Sequence, residues 1–272
     1  MNSCEALTSF PLDSFPKLQS LSIICCDSLE SIFISGTSSH YSSTLQSLSV
    51  FCCKALRSMP QRMDTLTALE HLILEDIPEL KLSFLPPKLQ LIHICSKKIE
   101  VPVSGGCLQH LTTRSKLTIG GDDDIVNTLL KEKLFPISLV SLTICYLSEM
   151  KSFEGNGLQN LSSLRKLEFR VCSELESLPK DTLPSALKSL LFWRCKKLKS
   201  FPEDMLPCSL ESLEFGSCAR FKSLREDSIP STLKLLTIGE CPVLEERYES
   251  KKHWSNIAHI PVIRINGKVT IS

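Results

Sequence analysis

From Cys195 to Cys218 the chain reads CKKLKSFPEDMLPCSLESLEFGSC. It opens and closes on a cysteine, and its phrasing recurs to either side: CSELESLP begins at Cys172 and CARFKSL at Cys218. Working outward from this stretch, the segment before each such cysteine also repeats. The copies are LQSLSIICC at Leu18, LQSLSVFCC at Leu45, LEHLILED at Leu69, LQLIHI at Leu89 and RSKLTIGG at Arg114. They continue as LVSLTIC at Leu139, LRKLEFRVC at Leu164, LKSLLFWRC at Leu187, LESLEFGSC at Leu210, LKLLTIGEC at Leu233 and IPVIRING at Ile260. The starts lie 20 to 27 residues apart, the period of a leucine-rich repeat.

Each copy has a leucine, or in one copy isoleucine and in one arginine, followed by apolar residues three and five positions on. That alternation specifies a short strand with one face inward. Eleven positions on, Leu29, Leu56, Leu175, Leu198 and Leu244 return to the same core, and fourteen on stand Ile32, Met59, Phe153, Leu178, Phe201 and Leu224. Prolines follow at Pro60, Pro179 and Pro202 and recur before the next strand at Pro184, Pro207 and Pro230. They oppose a long helix on the return path. One such unit cannot bury its own apolar edge, so neighbours must stack. The fold expected is a leucine-rich-repeat solenoid of the α/β horseshoe type, with mostly parallel β-structure on the concave side and irregular or 3-10 backbone on the convex side. It is read as a single domain, 1–272, of about eleven strands, with a truncated first repeat (1–17) and a C-terminal cap (245–272). Between 89 and 125 the repeat is degenerate and its register is open.

Eight positions after the start stand Cys26, Cys53, Cys172, Cys195, Cys218 and Cys241. Many leucine-rich repeats carry asparagine there. A thiol is small, buries readily and keeps a weak donor, so these form a structural cysteine ladder. A metal site at the doublets Cys25/Cys26 and Cys52/Cys53 is disfavoured, because adjacent residues point to opposite sides. The 13 cysteines are an odd number in a chain whose first residues show no secretory pattern; reduced thiols and a cytoplasmic location are the expectation.

A formal charge of +1, from 31 Lys+Arg and 30 Asp+Glu, offers no basic field for nucleic acid. No apolar run is long enough to span a bilayer. The six histidines are scattered, and no nucleophile–base set has a recognisable spacing, so the chain reads as a non-enzyme without metal or cofactor. SGTSSHYSST (35–44) reads as a loop, and the three aspartates Asp122, Asp123 and Asp124 as an acidic helix start rather than a calcium loop. At the N-terminus, Cys4, Leu7, Phe10 and Pro11 match the spacing of Cys195, Leu198, Phe201 and Pro202, as if the chain began midway through a repeat of something longer.

With the repeats aligned, LxSLxIxxCxxLxSFP, the connectors LPSALKSL and LPCSLESL and the closing CPVLEERYESKKHWSNIAHIPVIRING resemble the leucine-rich-repeat region of plant intracellular nucleotide-binding leucine-rich-repeat disease resistance proteins of the coiled-coil class. The resemblance spans essentially the whole chain. A GxxxxGK[ST] phosphate loop does not occur in it. What the resemblance implies is a protein-recognition and autoinhibitory sensor of innate immunity. Its partners would be a pathogen effector or guarded host protein and the receptor's own nucleotide-binding domain, without nucleic acid or membrane span. The alternative is the substrate-receptor repeat of a ubiquitin ligase.

Positions two, four, six and seven after each start are expected to line the concave face. Among them, aromatic, arginine and charged residues are the candidate partner contacts: Phe51, His71, Glu75 and Asp76 in the early repeats, then Tyr146, Lys166, Glu168, Arg170, Trp193 and Arg194. Arg170, Trp193 and Arg194 form the preferred hot spot.

Overall fold

The computed structural model describes residues 1–35, 44–57, 59–61, 63–81, 84–100, 108–109, 111–202, 205–224, 229–249, 254 and 257–271. Most of the expected loop at 35–44 therefore lies outside the described residues. The chain divides into two compact units: residues 1–125 with 134–139, and residues 126–133 with 140–272. The repeat reading treats 1–272 as one domain, but a chain whose coils touch only their neighbours has no single central core to enforce that.

In the first unit, β1 (Ser9–Pro11) leads into a 3-10 turn at Leu12–Ser14, followed by β2 (Ser20–Ile24), β3 (Ser31–Phe33) and β4 (Ser47–Phe51). A second 3-10 turn, Met63–Thr65, precedes β5 (His71–Glu75), β6 (Leu80–Lys81), β7 (Leu91–Cys95), β8 (Ile99–Glu100) and β9 (Lys116–Gly120). Strands β2, β4, β5, β7 and β9 pair in parallel without slip, Ser20 facing Ser47, Ser47 facing His71, His71 facing Leu91 and Leu91 facing Lys116. The last two registers resolve the degenerate repeats at Leu89 and Arg114. On the return side the short strands pair as well, β1 with β3 and β6 with β8. Helix α1 (Asp123–Lys131) follows, its residues from Val126 on belonging to the second unit. Its acidic start is a cap: the Asp122 carboxylate accepts from the amides of Ile125 (3.1 Å) and Ile99 (2.7 Å).

The second unit contains β10 (Ser141–Cys145), β11 (Lys166–Arg170), β12 (Ser189–Trp193), β13 (Ser212–Gly216), β14 (Leu235–Gly239), α2 (Pro242–Glu249), β15 (Val262–Ile265) and β16 (Lys268–Ile271). Strands β10 to β15 run parallel, and β16 turns back antiparallel on β15. That hairpin turns on Asn266 and Gly267, both left-handed (φ 47° and 78°), the conformation an Asn-Gly loop supplies.

Alternation along every repeat strand buries the third and fifth positions after the start. In the second unit this stacks the rings of Phe169, Phe192 and Phe215 at 5.1 and 5.8 Å between successive centroids, and Phe153 from a return segment stacks on Phe169 at 5.4 Å. The returning leucines 29, 56, 175, 198 and 244 are all buried. Connectors of the LPxxL type end in a turn in which the proline carbonyl accepts the amide of the next strand's first leucine, as in Pro184–Leu187 (3.1 Å) and Pro207–Leu210 (3.0 Å). Where a serine or threonine stands just before that leucine, its hydroxyl donates to the coil behind. Ser209 Oγ reaches the Leu187 carbonyl at 2.6 Å, and Thr232 Oγ1 the Leu210 carbonyl at 2.8 Å.

The cysteines do what asparagine would. Cys26, Cys53, Cys172, Cys195, Cys218 and Cys241 are each 0 % exposed. Cys195 Sγ donates toward the carbonyls of Phe169 (3.6 Å) and Trp193 (3.7 Å), and Cys218 Sγ toward those of Phe192 (3.6 Å) and Gly216 (3.5 Å). Cys241 Sγ accepts the Cys218 amide at 3.3 Å. The thiol of Cys195 beside it, together with burial, pushes Cys218 up to about 12, and Cys195 and Cys241 are raised by the same neighbour-to-neighbour contact. Each thiol thus satisfies backbone groups of two coils at once, which buried carbonyls require.

Candidate interaction surface

The strand registers put the second, fourth and sixth positions of each repeat on the open face of the sheet. In the second unit this makes three rows running across the strands. Lys166, Ser189, Ser212, Leu235 and Val262 form one, and Glu168, Leu191, Glu214, Thr237 and Arg264 the next. The third is Arg170, Trp193, Gly216 and Gly239. Arg170 and Trp193, two members of the expected hot spot, are therefore direct cross-strand neighbours.

Glu168 lies on this face but is 5 % exposed, and is therefore not itself a surface contact. Its carboxylate bonds Arg170 Nε at 2.7 Å and Lys166 Nζ at 2.5 Å. Burial alone would push the Glu168 carboxyl up; the two cations outweigh it and hold it below the usual carboxylate range. Glu168 acts on the surface through Arg170 and Lys166, whose side chains it holds in place.

Beside this cluster is a cavity of ≈ 270 Å³ lined by Arg170, Leu191, Trp193, Glu214, Phe215, Gly216, Thr237 and Gly239. Its floor exists because two successive strands end in glycine. Trp193, 38 % exposed, lays its indole across the first of them: a Cβ on Gly216 would stand 2.0 Å from Trp193 Cε3. At Gly239 a Cβ would meet nothing within 4 Å.

The seventh position behaves differently from expectation. Cys25, Cys52, Asp76, Tyr146, Val171, Arg194, Ser217 and Glu240 all have left-handed φ between 52° and 57°. The strand ends there, and most of these amides reach a carbonyl of the next coil, as Arg194 does to Gly216 (2.7 Å) and Tyr146 to Arg170 (2.9 Å). Asp76, Tyr146 and Arg194 therefore project from the strand's C-terminal rim instead of the sheet face, and Arg194 does not line the cavity. Cys25 is exposed at this rim while Cys26 is buried, so the doublet does split inward and outward. Among the described residues no group of three or more His, Cys, Asp or Glu is placed to hold a metal.

In the first unit, Phe51 and Glu75 are cross-strand neighbours and His71 is exposed at the other end of β5. Glu75 lies 3.5 Å from His93 Nε2. Burial holds the His93 imidazole below its ordinary value, against the pull of Glu75.

Reading the sequence by residue type passed over Leu191, Glu214, Gly216, Thr237 and Gly239. The available signal was an absence: EFG and TIG put glycine at the sixth position in consecutive repeats, directly after a tryptophan at the same place.

The family model "FNIP Repeat" matches residues 176–218. Over 214 residues, 67 % of the chain, the sequence is 28 % identical to a curated protein of Arabidopsis thaliana named "Putative disease resistance protein At3g14460", of which it spans 15 %. Solved structures that align with it include the circular leucine-rich-repeat protein CroV588, with TM-score 0.38 and 17 % identity over 82 % of this chain and 40 % of that one. The complex of TLR13 with ssRNA13 aligns with TM-score 0.36 and 16 % identity, over 83 % of this chain and 45 % of that one. Among the described residues no helix is long and apolar enough to cross a membrane. By its repeat and its parallel strand registers, the chain folds as a leucine-rich-repeat solenoid.

Proposed function

We propose that this chain is the recognition module of a plant innate immune receptor, cytoplasmic and without catalytic activity of its own, which holds a pathogen effector or a guarded host protein on the open face of its sheet. The observation that carries the binding reading is the pairing of Arg170 and Trp193 across β11 and β12 at the edge of a cavity. Arginine and tryptophan are the side chains that anchor protein interfaces most often. Here both stand on strands, with Arg170 braced by Glu168 and Trp193 seated on Gly216, so little side-chain order remains to be imposed on binding. The likeness to a protein named for disease resistance supports the immune setting. In an intact receptor, occupation of this face would bias the module's packing against a nucleotide-binding domain and shift its resting and active populations.

A photocrosslinking residue placed in turn at Leu191, Thr237, Lys199 and Lys222, in the chain expressed in plant cells, tests the reading. Adducts with a protein are expected from Leu191 and Thr237 and not from the two return-side lysines. Equal adducts from both sides, or none from the open face, would overturn it.

A further inference from the structure

We infer that the cavity over Gly216 and Gly239 receives an arginine side chain presented by the protein partner, an assignment that rests on the open face being a protein-binding surface. Charge decides the occupant. On this face Glu168 is neutralised by Lys166 and Arg170. Glu214, which lines the cavity, accepts the Ser212 hydroxyl at 3.2 Å and, among the described residues, is paired with no cation. Beside it Thr237 Oγ1 is buried without a hydrogen-bond partner. The Trp193 indole, partly exposed, lines the same cavity.

A guanidinium answers all three features. Its face stacks on the indole, its paired N–H groups meet the Glu214 carboxylate, and a further N–H reaches the Thr237 oxygen. Lysine would supply the charge without the plane. Arg170 also lines the cavity, with its Nε held at 2.7 Å by the Glu168 carboxylate, which it shares with Lys166. An acidic side chain would place its carboxylate beside Glu214, where like charges repel. The glycines make the room: a side chain at Gly239 would stand in the space a guanidinium needs.

The test uses the full chain and N-acetyl-arginine N-methylamide as probe, following the indole N–H resonance of Trp193, assigned by its loss in Trp193→Phe. The neutral isostere N-acetyl-citrulline N-methylamide and the acidic N-acetyl-glutamate N-methylamide are the comparisons. The arginine probe is expected to shift the Trp193 resonance saturably with Kd on the order of millimolar. Citrulline should bind at least about tenfold more weakly, the loss of one charge-assisted contact. Glu214→Gln should weaken the arginine probe by a similar factor, with its thermal unfolding unchanged, and Thr237→Val by about threefold. Citrulline equal to arginine, or arginine binding indifferent to Glu214→Gln, would overturn the assignment. So would tighter binding of the glutamate probe, which would make Arg170 the ligand group. Crosslinks from Leu191 and Thr237 alongside such a result would leave the protein-binding reading standing and remove only the arginine.

Discussion

The indole of Trp193 rests on Gly216: a Cβ built there would lie 2.0 Å from Cε3 and 2.2 Å from Cζ3 of the ring. What stands in the way is the far end of a side chain, not backbone, so Gly216→Ala can be accommodated by swinging the ring outward. The expected outcome is a displaced Trp193 indole resonance and a weaker arginine probe, with the unfolding midpoint lowered by no more than about 2 °C. A large loss of stability instead would mean that the tryptophan is held by more than the face it covers.

Gly121 is the opposite case. It occupies the seventh position of its repeat with φ +84°, and a Cβ would meet the Ser96 carbonyl oxygen at 2.6 Å and its carbon at 2.9 Å. Backbone cannot swing aside, and the left-handed conformation adds its own strain. Gly121→Ala should therefore cost about 2–4 kcal/mol in denaturant unfolding. Cys25, Cys52, Asp76, Tyr146, Val171, Arg194, Ser217 and Glu240 are left-handed at the same position without being glycine, which shows that the turn alone does not demand glycine. At Gly121 the close approach of Ser96 does.

Glu168 connects surface chemistry to acid stability. Its carboxyl is held below the ordinary range by Arg170 and Lys166 despite burial, whereas the unfolded chain returns it to about 4.3. A depressed folded value makes the contribution complete above the unfolded value and lost as pH falls through the folded one. At pH 7, Glu168→Gln should cost about 1–3 kcal/mol, since two cations lose their shared partner. Near pH 3 the gap to wild type should narrow. Urea unfolding of both proteins at the two pH values checks this, and an equal gap at both would show that the ion cluster is not what Glu168 contributes.

These sites mark what could be read from residue order. Solenoid stacking was legible because every coil must match its neighbour. Leu21, Leu48 and Leu72, or Leu167, Leu190 and Leu213, are bound to one register by the requirement that all of them be buried together. Even the degenerate copies at Leu89 and Arg114 keep it. Arg170 and Trp193 were legible as face residues for the same reason. The cavity was not, because it is made by side chains that are missing, and Glu214 gains its meaning only when Glu168 is seen to be neutralised and Glu214 is not. Asp76, Tyr146 and Arg194 were misplaced by one step of backbone: strand alternation stops where the chain enters the left-handed turn. Nor does alternation say that Glu168, on an outward position, is covered by its own ion pairs.

The cysteine ladder makes a prediction about reactivity that separates structure from chemistry. A thiol reacts as its thiolate and only where reagent can reach it. Cys172, Cys195, Cys218 and Cys241 fail on access, each being buried, and Cys195, Cys218 and Cys241 fail on charge as well, the thiol one coil back raising each of them and Cys218 to about 12. Cys25 and Cys208 are exposed. Cys52 is half-buried, and burial together with Cys25 and Asp76 pushes it up to about 11. Iodoacetamide at pH 8, followed by peptide mass mapping over time, should therefore label Cys25 and Cys208 first and Cys52 later. Cys172, Cys195, Cys218 and Cys241 should be labelled last, at the rate of unfolding. Replacing Cys195 by alanine removes a donor that serves the Phe169 and Trp193 carbonyls and should bring labelling of Cys172 and Cys218 forward, because the coils on either side lose a shared bond. Early labelling of Cys195 in the wild-type chain would contradict the ladder, and with it the claim that these thiols fasten one coil to the next.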